Sequence, residues 1–201
     1  RRMSRVWLGS QPIRGTAAEL YLLKRGIWRE NIPERQLRYH PGLRYIHGKE
    51  KKDYGTFPAL LASIRNPEGR MISVHRIYIT PDGLKAPVPD AKKMMSACGD
   101  LSGAAIRLHP AEGEVLGVAE GIETALAAHA VSRMPVWACI SATLLEQVQV
   151  PANVKRVVIW ADKDRPTPRP GTSEMNPPRG AEAAERLARR LESEGKEVEI
   201  C

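Results

Sequence analysis

Apolar positions recur along this chain with two different periods. Near the start, Ala17, Leu20, Tyr21 and Leu23 fall at helical spacing, which predicts a helix over residues 16–25 with Gly26 as its C-terminal cap. Residues 60–65 and 71–79 are strand-like. Asn66-Pro67-Glu68-Gly69 and Thr80-Pro81-Asp82-Gly83 follow them as turns, so an antiparallel unit is expected. In the second strand Ile72, Val74, Arg76 and Tyr78 share one face, which sets Arg76 among apolar neighbours. A buried arginine must be paired or bind an anion. From residue 116 the pattern changes to short runs at 116–119, 135–140 and 157–161, separated by helical segments starting at Ile122 and at Ser141 or Thr143, the latter with Glu146 as a capping-box partner. A further helix starts at Arg179. Such runs are what buried parallel strands look like, and the helices supply their crossovers.

Two of these runs end in carboxylates. The first ends in Glu120-Gly121 and leads directly into a helix; the second ends in Asp162-Lys163-Asp164. Ligands of open α/β sheets gather at the carboxyl ends of the strands, where Glu120, Asp162 and Asp164 would meet if the two strands were neighbours. Three carboxylates at one edge repel one another, and a hard divalent cation with oxygen ligands relieves that repulsion. Gly121, lacking Cβ, would let the backbone turn tightly and a phosphate come close. The alternative is that Glu120 and Glu123 merely complement a helix dipole and Asp162-Lys163-Asp164 is a solvated turn.

Composition narrows the class. A chain of 201 residues with 42% hydrophobic content can bury a sizeable core. No apolar run approaches the roughly 20 residues of a membrane span, and the Arg-Arg start lacks the apolar stretch of a secretory signal, so a cytoplasmic protein without a membrane partner is expected. Cys98, Cys139 and Cys201 are too far apart to suggest a disulfide framework or a zinc ribbon. The absent initiator Met, and an end at Cys201 where a strand would still be running, read as a piece of a longer polypeptide. The net charge of +8 is unevenly spread: residues 1–112 hold 20 Lys and Arg against 10 Asp and Glu, whereas residues 113–201 hold 11 against 13. A basic lobe beside an acidic centre suits nucleic acid, although a surface made basic for solubility gives the same count. Residues 36–54 interleave Tyr39, Tyr45 and Tyr54 with many cations, as single-strand binders do; an ordinary exposed loop has the same letters.

Taken together, strand, Glu-Gly, helix, strand, helix, strand, Asp-x-Asp, helix and strand over residues 114–200 resemble the Toprim domain of DnaG-type primases, topoisomerases and some nucleases. Val118-Ala119-Glu120-Gly121-Ile122-Glu123-Thr124-Ala125-Leu126-Ala127 looks most like the Toprim primases of plasmids, phages and integrative elements. Similar stretches lie upstream, at 16–26, 58–60, 75–79, 82–86 and 103–108. The resemblance implies an α/β fold with a mainly parallel, helix-flanked sheet at 113–201, preceded by a smaller basic α+β lobe at 1–112. It implies a DNA primase, performing template-directed nucleotidyl transfer on single-stranded DNA with nucleoside triphosphates. Glu120, Asp162 and Asp164 would be its catalytic and metal-holding residues, with two magnesium or manganese ions and Gly121 in support. Arg76, Lys85 and Arg107 would grip template backbone or triphosphate, with a replicative helicase, in cis or in trans, as a further partner. The chain departs from the pattern in two places. The zinc module of many primases is absent from this sequence, and the proline-rich residues 165–178 look like an insertion beside the metal site. A Toprim nuclease, or a catalytically silent Toprim module that binds DNA or a helicase, are the competing readings. A topoisomerase fits less well, since no tyrosine is marked as a strand-cleaving nucleophile.

Overall fold

The computed structural model describes residues 2–161 and 179–201 and, between them, the backbone of 167–168 and 175–176. The chain divides into two units: Arg1–Arg65 with Gly69–Asp100, and Asn66–Glu68 with Leu101–Cys201.

The first unit holds α1 (Arg2–Leu8), α2 (Ala17–Leu23), a single 3-10 turn (Arg29–Asn31) and the strands β1 (Leu37–His47), β2 (Lys52–Arg65), β3 (Met71–Tyr78) and β4 (Lys92–Met94). The strands form one antiparallel sheet in the order β1-β2-β3-β4. Thr16 caps α2, its hydroxyl accepting the Ala18 N–H at 3.2 Å, and the Glu19 carboxylate reaches back to the Gly15 N–H at 2.8 Å. The first bond satisfies a donor that the helix start leaves orphaned, and the second ties the residue before the cap to the first turn. Tyr45, Ala59, Leu61, Val74 and Tyr78 form a buried apolar layer on one face of the sheet. Residues 36–54 are not a loop. They form β1 and its hairpin into β2, which starts at Lys52 instead of near Leu60. Irregular register between His40 and Leu43, at Pro41-Gly42, and again between Arg44 and Ile46, breaks the alternation that marks a strand in sequence. β4 pairs with β3 through His75, Arg76 and Ile77.

The second unit holds β5 (Val115–Ala119), α3 (Ile122–Ser132), β6 (Val136–Ala138), α4 (Ala142–Gln147), β7 (Arg156–Trp160), β8 (Thr167–Pro168), β9 (Met175–Asn176), α5 (Arg179–Ser193) and β10 (Glu197–Ile200). β8 and β9 make a separate two-stranded antiparallel ladder. The other four strands form a parallel sheet in the order β10-β7-β5-β6. The two runs that end in carboxylates are therefore neighbours. Leu116, Val118, Val157 and Ile159 are buried with Ala183, Ala184, Leu187 and Leu191 of α5 in one core, where each large aliphatic side chain contributes about 1.5–3 kcal/mol. Ser141, not Thr143, caps α4: its hydroxyl accepts the Leu144 N–H at 3.2 Å. Residues 101–112 fold with this unit, and Ile106 pairs antiparallel with Ala138 along the outer edge of β6. The architecture is thus the expected one, a helix-flanked parallel sheet preceded by a smaller lobe. No described helix is long and apolar enough to cross a membrane.

Candidate active site

Ala119 stands in register with Ala138 on one side and Trp160 on the other, so β5, β6 and β7 end at one level. Glu120 and Gly121 follow Ala119 at this carboxyl edge, and Gly121 is the N-cap of α3, its carbonyl accepting the Ala125 N–H at 3.0 Å. Gly121 has an ordinary extended backbone, φ −91°, which any residue adopts. Space explains the glycine better, because a Cβ there would stand 3.3 Å from the Thr124 hydroxyl oxygen.

The end of β6 holds the Glu120 turn in place. The Cys139 N–H donates to the Ala119 carbonyl at 2.8 Å, and the Ile140 N–H donates to the Glu120 carbonyl at 2.7 Å. Ile140 has φ +74°, a left-handed conformation that costs a β-branched residue on the order of 1–3 kcal/mol. Cys139 is fully buried, and burial, helped by the negative charge of Glu120, pushes its thiol well up. That makes Cys139 inert and sets the Glu120 carboxylate within electrostatic reach of it. On β7 the Trp160 indole N–H is buried with no hydrogen-bond partner among the described residues.

Asp162 and Asp164 lie outside the described residues, as does most of the proline-rich stretch 165–178. Among the described residues no three His, Cys, Asp or Glu side chains gather as a metal cluster. Glu120 offers the oxygen chemistry that magnesium takes, and the sequence puts Asp162 two residues beyond Trp160.

In the first unit, Arg76 sits on the face with Tyr78. Its Nη1 donates to the Tyr78 hydroxyl at 2.9 Å and its Nη2 to the Met94 carbonyl at 3.3 Å; its guanidinium lies 5.5 Å from the centre of the Tyr78 ring. Its Nε is buried without a hydrogen-bond partner among the described residues. Burial draws the guanidinium below the usual arginine range, and the charge of Arg2 acts the same way. Its cross-strand partner is another cation, Lys93, whose ammonium donates to the Ile46 carbonyl at 2.8 Å and lies 4.2 Å from the centre of the Tyr45 ring. Like charges placed opposite each other on a sheet are unfavourable, and a polyanion relieves them. The β3–β4 register, which no sequence pattern shows, sets Lys93 apart from the other cations of this stretch by pairing it with Arg76. Lys85 is exposed and follows the turn after β3, its backbone bridged to Ile79.

Arg107 belongs to the second unit. Its Nη2 donates to the carbonyls of Asn66 and Pro67, both at 2.7 Å, and its guanidinium stands 4.8 Å from the Trp137 ring centre. It lines a cavity of about 580 Å³ with Pro67, Gln149, Pro151, Glu194 and Lys196. Residues 149–151 lead into β7, and 194–196 into β10, so this cavity lies toward the amino ends of the strands, whereas Glu120 follows the carboxyl end of β5.

Comparison with known proteins bears on this geometry. Residues 1–108 match a family model described as "Domain of unknown function (DUF7146)". The chain belongs to that family. Residues 115–201 match the model of the Toprim domain, in agreement with the helix-flanked parallel sheet. Among solved structures, the primase fragment of the bacteriophage T7 primase-helicase protein is 16% identical, with TM-score 0.56 over 89% of this chain and 62% of that one. A DNA primase domain from Pseudomonas aeruginosa is 15% identical, with TM-score 0.59 over 98% of this chain and 68% of that one. The Aquifex aeolicus primase, comprising zinc-binding and RNA polymerase domains, is 16% identical, with TM-score 0.62 over 98% of this chain and 53% of that one. The chain therefore spans less than two thirds of the T7 and Aquifex proteins, and identities this low speak for the fold alone. No curated protein matches the chain. It is a Toprim-domain protein structurally related to primase catalytic cores.

Proposed function

We propose that this DUF7146-family chain is the catalytic core of a DNA primase of the plasmid, phage or integrative-element kind, making primers on single-stranded DNA from nucleoside triphosphates. The observation that carries the reading is the adjacency of β5 and β7 as parallel neighbours, each run leading into acidic residues. Glu120, Asp162 and Asp164 would hold two magnesium or manganese ions, which neutralise charge at the phosphate under attack and on the leaving pyrophosphate. The Glu120 carboxylate is aimed by the turn that the end of β6 clamps. The first unit supplies the grip on polyanion. Arg76, with a partly buried charge and a cation as its cross-strand partner, is its strongest contact, and Lys93 and Lys85 add to it. Arg107, already committed to two carbonyls, has fewer N–H groups to offer and is a weaker candidate. A helicase partner rests on resemblance alone.

The double substitution Asp162→Asn with Asp164→Asn tests the acidic centre. Metal-dependent incorporation of nucleotides should disappear while the unfolding midpoint holds or rises, because carboxylates at a ligand site add repulsion to the metal-free protein. Incorporation at the wild-type rate would end the assignment.

A further inference from the structure

We infer that Ile140 is a positioning residue for Glu120, acting through its backbone; the inference rests on the carboxylate reading above and names the part that aims the carboxylate. Among the described residues, three that are not glycine have positive φ: Lys51, Arg133 and Ile140. Lys51 lies in the turn between β1 and β2, and Arg133 is the C-cap of α3, both usual places for a left-handed residue. Ile140 is neither. It lies between the end of β6 and Ser141, the N-cap of α4, and a β-branched side chain is among the least suited to that conformation. What the conformation delivers is the N–H to the Glu120 carbonyl at 2.7 Å, which carries the β5–β6 pairing one residue past the end of β5 and two past the end of β6, into the turn that bears the carboxylate. Strain persists where the surrounding structure enforces it, and here that structure holds the candidate catalytic group.

The test separates backbone from side chain. Ile140→Asn gives up the aliphatic packing but takes a left-handed conformation readily and keeps the N–H. Replacing Ile140 with its α-hydroxy acid keeps the side chain and turns the amide into an ester, removing only the N–H. Two readouts are taken on the whole chain: Mn²⁺ affinity by titration, and hydrogen exchange of the residue 119–124 amides without metal. The ester chain should exchange at least about tenfold faster at 119–124, with protection of α5 unchanged, and should bind Mn²⁺ about tenfold more weakly. Ile140→Asn should stay within about twofold of wild type in both. Equal loss in the two variants, or unchanged exchange in the ester chain, overturns the positioning role. A wild-type chain that binds no Mn²⁺ would instead refute the metal reading, and the exchange measurement would still decide the role of Ile140.

Discussion

Arg76 is where binding and stability should part. Replacing it with Met keeps an unbranched side chain of similar reach and removes the charge. The loss comprises bonds to the Tyr78 hydroxyl at 2.9 Å and the Met94 carbonyl at 3.3 Å, each worth about 1 kcal/mol, and a ring contact worth about 0.5–1 kcal/mol. Tyr78 is not orphaned, since its hydroxyl also faces the Arg44 carbonyl at 3.4 Å. Against this loss stand the relief of the repulsion with Lys93, about 0.2–1 kcal/mol, and the return of a buried, partnerless Nε to an apolar group, worth about 1–3 kcal/mol. The terms nearly cancel, so the unfolding free energy should stay within about 1 kcal/mol of wild type. Binding should not. One charge-assisted phosphate contact is worth about 1.5–3 kcal/mol, roughly a tenfold to hundredfold loss in affinity for single-stranded DNA. The slope of log affinity against log salt should also shrink by about 0.7. Urea denaturation, with fluorescence anisotropy of a labelled oligonucleotide at several salt concentrations, measures both sides. An Arg76→Met chain destabilised by more than about 2 kcal/mol, with DNA affinity and salt slope unchanged, would make Arg76 a structural residue and refute this reasoning.

Three further outcomes are expected. Gly117→Ala should destabilise the second unit by about 1–3 kcal/mol, seen as a lower urea midpoint, because the added Cβ would meet Val136 Cγ2 at 2.9 Å and Met134 Sδ at 3.3 Å inside a parallel sheet. His109 and His129 stack at 3.7 Å, each with Nδ1 near a backbone carbonyl, of Val136 and Met134 respectively, and burial, then the charge of His129, draws His109 below its usual 6.5. A depressed histidine contributes stability that is whole above about pH 6.5 and is lost as pH falls through the folded-state value, because the unfolded chain takes the proton first. His109→Phe should therefore flatten the fall of the melting temperature over that window, and a profile identical to wild type would contradict it. Lys93→Ala should weaken DNA binding in the same direction as Arg76→Met, and the double variant should lose less than the sum of the two if both hold one phosphate.

Much of the second unit could be read from the sequence because β5, β6 and β7 are buried on both faces. Val118, Val157 and Ile159 stand in near-continuous apolar runs, and each run stops at a carboxylate, so strand ends and candidate chemistry were marked by the same residues. The first unit was less legible for a physical reason. β1 carries Pro41-Gly42 and two register irregularities, and Arg38, His40, Arg44 and His47 interrupt its apolar residues, so a paired strand has the letters of a loop. β4 is only three residues long, too short for any period to show. At the candidate site, Glu120 could be named from its position after an apolar run. The role of Ile140 could not, because nothing in a β-branched residue announces a left-handed backbone, and the Arg76–Lys93 pairing exists only as a register between strands.

The central claim is that the carboxyl edge of this sheet joins nucleotides. The most direct test incubates the chain with end-labelled single-stranded DNA, nucleoside triphosphates and magnesium, then separates products by length, with the Asp162→Asn, Asp164→Asn chain in parallel. The account predicts new short chains templated by the DNA, dependent on magnesium and absent from the double variant. Labelled DNA that is shortened in a magnesium-dependent way, with no chain started or extended, would contradict it and make the same carboxylates the centre of a nuclease.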